Sequence, residues 1–227
     1  GYGEKLVTIY TGGELYSNNS ASSSHLGTLV LAGGTLATSA ANTSCCGSFN
    51  FDGDVHVTAN SEISALNIPL TEATLSNTPL TINIDSGKTL TFSGTIFHST
   101  DPGVRDNGLI VAGQGTLLMT GNNTYTSSTT INSGATLALT GTGSIATSSG
   151  VVNSGTLDIS GTTSGASVKT VTGSGSVVLG TRTLTLTDAS GTYSGAMSGT
   201  GGSLVKQRSD TYTMSGTNNT YTGSTTI

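Results

Sequence analysis

The sequence predicts an all-β chain wound as a parallel β-helix, a β-solenoid. Three observations carry that expectation: alternation of apolar and hydroxyl residues with period two, dense Gly-containing turn punctuation, and a long-range internal repeat. The alternation appears in "TINID" (81–85), "TLTFS" (89–93), "ATLALT" (135–140), "TLDIS" (156–160) and "RTLTLT" (182–187). Within these stretches Ile82 and Ile84, Leu90 and Phe92, Leu137 and Leu139, Leu157 and Ile159, and Leu184 and Leu186 share one face. Thr, Asn, Asp and Ser take the other, which is the pattern of half-buried strands. Between them stand "SG", "GTG", "NSG" and "GSGS", which supply positive φ and side-chain bonds to turn backbone. No stretch carries the i, i+3, i+4, i+7 apolar stripe of a helix.

The repeat is plainest in "NNTYTSSTTI" (122–131), which returns as "NNTYTGSTTI" (218–227), 96 positions on. Similarity at so long a period marks architectures in which each unit covers its neighbour's open face. In a sandwich, strands find specific long-range partners. In a solenoid each coil lies on the last about 4.8 Å further along the axis, so like residues stack and the sequence can be monotonous, as it is here. With coils of about 20–24 residues the offset spans four or five whole coils, and both copies are expected on one side of a rod of roughly 10 coils and 50 Å.

Composition narrows the function classes. Apolar residues make up 33% of the 227, Trp is absent and Gly contributes 33, so the core is thin. Charged residues are only 8%, which sets the chain apart from the highly charged disordered class. Seven Lys and Arg against twelve Asp and Glu give a net charge of −5, with no basic stripe to neutralise phosphates, so no nucleic-acid partner is expected. No apolar run approaches the roughly 20 residues of a membrane-spanning helix, and no membrane contact is expected of this segment.

"GTLLMTGNNTYTSSTTINSGATL" (115–137) resembles the autotransporter-associated β-strand repeat, and "GTGGSLVKQRSDTYTMSGTNNTYTGSTTI" (199–227) is similar to the same unit, with Lys206 and Arg208 where small residues are usual. The resemblance covers about Leu80 to Ile227. It implies a right-handed parallel β-helix from the passenger of a bacterial type V autotransporter. The expected organisation is one β-helix over 1–227, with less regular coils or a cap region at 1–60 and repeat-bearing coils at 80–227. The resemblance further implies a piece of a longer protein whose translocator β-barrel lies elsewhere, at a bacterial cell surface or secreted. The implied function is adhesion, autoaggregation or biofilm contact, with host-cell or matrix proteins, glycans or like molecules on neighbouring cells as partners. The alternative is a polysaccharide-active or glycan-binding β-helix.

Little catalytic chemistry is written in the chain, and neither an enzyme nor a cofactor is expected. "SGKT" (86–89) lacks the earlier Gly of a phosphate loop, since position 82 is Ile, and a strand follows it rather than a helix. His25, His56 and His98 stand far apart without a triad or metal spacing. Asp52 and Asp54 flank Gly53 and read as a capped turn more readily than as a calcium site. Adjacent Cys45 and Cys46 form a candidate disulfide, strained because neighbouring Cα atoms sit about 3.8 Å apart. The plainer reading is a turn clip or two inert thiols, and a redox or intermolecular role is the alternative. The doubled Asn at 122–123 and 218–219 read as structural, tolerating left-handed backbone or stacking as amides. Tyr125 and Tyr221 read as packing residues, with outward-facing contact residues as the alternative. The stretch "FHSTDPGVRDNG" (97–108) concentrates charge at His98, Asp101, Arg105 and Asp106 in a nearly uncharged chain; a solvated turn is its plainer reading, and it is also the candidate recognition loop.

Overall fold

Each Thr-Leu-Thr stretch forms a strand because β-branched hydroxyl residues favour extended backbone and the alternating leucines have a core to enter. The computed structural model describes residues 5–18, 24–38, 49–66, 68–70, 78–98 and 107–227. Among them it has 27 strands and no helix. Every strand pair is parallel. Each strand pairs with a strand one turn of chain away rather than with its neighbour in sequence, so the chain is a parallel β-helix.

Three faces can be followed. The first is an eight-stranded sheet from Val7–Tyr10 to Val171–Thr172. It continues through a Gly173–Tyr193 bridge into Gly191–Tyr193 and then Tyr212–Met214. Eight strands and two more make ten coils, the number expected from the chain length. The second face is a nine-stranded sheet from Glu14–Ser17 to Ala196–Ser198. The third is broken into short pairs at the amino-terminal end and a four-stranded sheet, Ala166–Val168, Thr183–Leu186, Ser203–Lys206 and Thr225–Thr226, at the other.

Inside, like residues stack in columns. Leu90, Leu117, Leu137, Leu157, Val177 and Met197 lie in register on successive coils of the second face, all fully buried. Ile82 and Ile84, Leu139, Ile159, Leu184 and Leu186 are buried with them, as the alternation predicts. Each such side chain contributes about 1.5–3 kcal/mol by leaving water. Outside, the second face carries an unbroken hydroxyl column, Thr89, Thr116, Thr136, Thr156 and Ser176. The first face carries a β-branched one, Thr81, Ile110, Thr130, Val152 and Thr172.

The repeated decapeptides do not face the same side. The strand of the first copy, Thr129–Ile131, lies in the first face, whereas that of the second, Thr225–Thr226, lies in the third. The offset is thus four coils and two further sides. One coil takes 20 to 22 residues along Leu109, Thr129, Val151 and Val171, and whole multiples of that length do not sum to 96. Both copies nevertheless build the same local structure, because the phrase needs only a corner, a following strand and a coil beneath. In each, Asn Oδ1 accepts a main-chain N–H of the preceding coil: Ile96 to Asn123 and Met197 to Asn219, both 2.9 Å. In each, a Tyr hydroxyl meets the Thr four residues on, Tyr125 with Thr129 at 2.7 Å and Tyr221 with Thr225 at 2.6 Å. Both phrases follow a glycine at which a Cβ would overlap a carbonyl oxygen of the coil below, Gly94 under Gly121 and Gly195 under Gly216. The corner can be this tight only with glycine there.

Candidate functional site

The edge where the third face turns into the first carries His25, Asp52 and Asp54 in the amino-terminal coils. His25 lies on the third-face strand Ser24–Leu26, and Asp52 lies in the corner after Phe49–Phe51 on the next coil. The His25 Nδ1–H points between both carboxylate oxygens of Asp52, at 3.2 and 3.1 Å. An ionised carboxylate only accepts, so Nδ1 carries the proton. The Asp52 side chain is 2% exposed, and this bond accompanies its burial. Asp54 Oδ1 accepts the N–H of Thr81 at 3.2 Å from the coil above. Both side chains therefore tie neighbouring coils together.

The same corner opens into a groove of about 450 Å³ lined by Phe51, Asp52, Asp54, Pro69, Leu70 and Pro79, among others. It combines two carboxylates with an apolar wall. Two coils further on, the edge carries His98, just after the strand Ile96–Phe97, with its Nδ1 3.5 Å from the Thr126 hydroxyl. Of the candidate recognition residues, His98 is thus placed on this edge, whereas Asp101, Arg105 and Asp106 lie outside the described residues. Cys45 and Cys46 also lie outside them. The chain re-enters at Asn107, whose N–H donates at 3.1 Å to the carbonyl oxygen of Leu70, a residue of the groove wall.

Other polar groups are structural. The His56 Nε2–H donates to Asp85 Oδ1 at 2.9 Å across adjacent coils on the exposed first face. Among the described residues no group of three His, Cys, Asp or Glu could hold a metal ion. In the carboxy-terminal coils Lys206 points inward and donates from Nζ to Arg208 O at 2.9 Å, while Arg208 Nε lies 3.5 Å from Asp188 Oδ1. Arg208, at φ 67°, is the one non-glycine residue with positive φ among those described. The Asn pairs therefore do not serve left-handed backbone, and Asn123 and Asn219 act as clamps on the coil below. Burial raises the Tyr193 phenol to about 12 and raises Tyr212 further still. The Tyr212 hydroxyl donates to Val171 O at 2.6 Å and that of Tyr193 to Gly175 O at 2.7 Å, both inside the helix.

Tyr125 is fully buried, and Tyr221 packs against the core. Among the described residues the exposed aromatics are instead Tyr10 and Tyr16, 70% and 51% exposed on either side of the first described corner, with Glu14 between them. Tyr16 was legible in "ELYS", where Leu15 faces inward and sends its neighbours out. The His–Asp pairs carried no such signal, since their partners stand 27 and 29 residues apart.

No family model, curated protein or solved structure matches this chain.

Proposed function

We propose that the chain is a surface-displayed adhesive segment of an autotransporter passenger. On this reading its rigid rod makes contacts along its length with host, matrix or sister-cell surfaces. The observation that supports this best is the outward hydroxyl column Thr89, Thr116, Thr136, Thr156 and Ser176, set beside the β-branched column of the first face. Such columns repeat the same weak contact on five successive coils, and repeated weak contacts on one rigid body add as avidity. Tyr10 and Tyr16 add amphipathic aromatic contact, for which exposed Tyr is well suited. The resemblance of residues 115–137 and 199–227 to passenger repeats points the same way. Bacteria displaying the chain are expected to settle and to adhere to coated surfaces faster than the same bacteria without it. Unchanged settling and adhesion would overturn the proposal. If replacing His98, Asp101, Arg105 and Asp106 by Ala removes adhesion and leaves clumping, the 97–108 loop binds the heterologous partner.

A second reading, a glycan-binding or polysaccharide-active β-helix, draws on the groove that holds Asp52 and Asp54. Both carboxylates already hold protein partners, which favours contact over acid–base chemistry. An oligosaccharide array separates the two readings: binding lost in Asp54→Asn alone would place the ligand in the groove.

A further inference from the structure

The doubled asparagine of the repeated phrase leaves one residue without a structural task. Asn123 is 1% exposed and clamps the coil below; Asn219 makes the equivalent clamp. Asn122 and Asn218, one position earlier, are exposed. Neither has positive φ, so neither is there to permit left-handed backbone. No hydrogen bond among the described residues holds either side chain. The threonines two positions on, Thr124 and Thr220, are also exposed, with hydroxyls that bond to nothing described.

Asn-x-Thr is the acceptor pattern of N-glycosylation, which requires a surface turn. In a chain this rich in Ser and Thr the pattern arises often, so the triplet alone says little. The structure adds what it lacks. In both copies the amide and the hydroxyl that a transferase must engage are free and solvent-facing, while the intervening Asn fixes the backbone between them. We propose that Asn122 and Asn218 are N-glycosylation sites, taking a hexose from a nucleotide-activated donor by a separate sequon-reading transferase. In the transfer, the amide Nδ2 forms a bond to hexose C1. The bond from C1 to the nucleoside diphosphate breaks, and one amide proton passes to a base of the transferase. No oxidation or reduction is involved. The two acceptors lie on different edges, because the two phrases differ by two sides of the helix. Sugars there would flank the faces without burying the hydroxyl column of the second or the β-branched column of the first. The inference does not depend on the adhesive reading.

The test uses the folded 227-residue chain with UDP-glucose and a soluble N-glycosyltransferase that reads Asn-x-Ser/Thr, followed by peptide mass mapping. Hexose is expected on the peptides bearing Asn122 and Asn218. Each modification should disappear in Asn122→Gln or Asn218→Gln, persist in Thr124→Ser and Thr220→Ser, and never fall on Asn123. Protein from the cells that make it should carry sugar on the same two residues. An unmodified folded chain, modification only after unfolding, sugar on Ser or Thr hydroxyls instead, or bare peptides from the producing cells would each overturn the proposal.

Discussion

Asn123 and Asn219 occupy the same place in the same phrase, but only Asn123 is covered by a further coil. Replacing each by Ala therefore separates the value of a buried clamp from that of an exposed one. In Asn123→Ala the Ile96 N–H loses its acceptor at 2.9 Å in a buried setting, and no water can reach it. An orphaned buried donor costs about 1–3 kcal/mol. The amide also donates to Gly121 O and Ser144 O, each at 3.0 Å. Both oxygens keep another partner, Gly121 O from Ser144 N and Ser144 O from Asn123 N, so these losses are small. The expected total is about 3 kcal/mol for Asn123→Ala. For Asn219→Ala water can replace the exposed amide, and the expected cost is under about 1 kcal/mol. Native-state hydrogen exchange reads this locally, which matters because a stack of coils need not unfold in one step. The Ile96 amide should lose protection by roughly a hundredfold, corresponding to about 3 kcal/mol, with smaller losses away from coils four to six. Equal losses in the two variants, or an unchanged Ile96 rate, would refute the clamp argument.

Two further outcomes follow from the same geometry, and a third tests the sequence reading of the cysteines. Leu137→Asp places an unpaired carboxylate in a fully buried position between Leu117 and Leu157, and should unfold the flanking coils; limited proteolysis should then cut there. Thr136→Asp, one residue away on the outer side, should leave the proteolysis pattern unchanged. The raised pKa of Tyr193 means that the folded state disfavours its phenolate. Its contribution is therefore complete below about pH 10 and is lost as pH rises through about 12. Urea midpoints should be flat up to pH 10 and fall above it, and Tyr193→Phe, although it gives up the Gly175 bond, should shrink that fall, with Tyr212 accounting for the rest. Cys45→Ser with Cys46→Ser should leave adhesion and monomer size unchanged on a non-reducing gel, whereas a lost covalent dimer would assign the thiols an intermolecular role.

The sequence by itself determined the strand-forming stretches, their inner and outer residues and the stacking of like on like. These depend on local alternation, and Leu90, Leu137 and Leu184 needed no knowledge of their partners to be placed inside. It also marked Tyr125 as a packing residue. What it could not determine is which residue sits over which. That depends on the summed lengths of every corner, and corners vary: 29 residues separate Leu80 from Leu109, but 20 separate Leu109 from Thr129. A change of a few residues at a corner moves every later residue around the axis. Only the tertiary structure could therefore pair His25 with Asp52, open the groove beside Pro69 and Leu70, or turn the second Asn-Asn phrase two sides away from the first. The same holds within the phrase. Whether Asn122 or Asn123 is the clamp depends on which of them meets the Ile96 N–H, a contact made across coils and invisible along the chain.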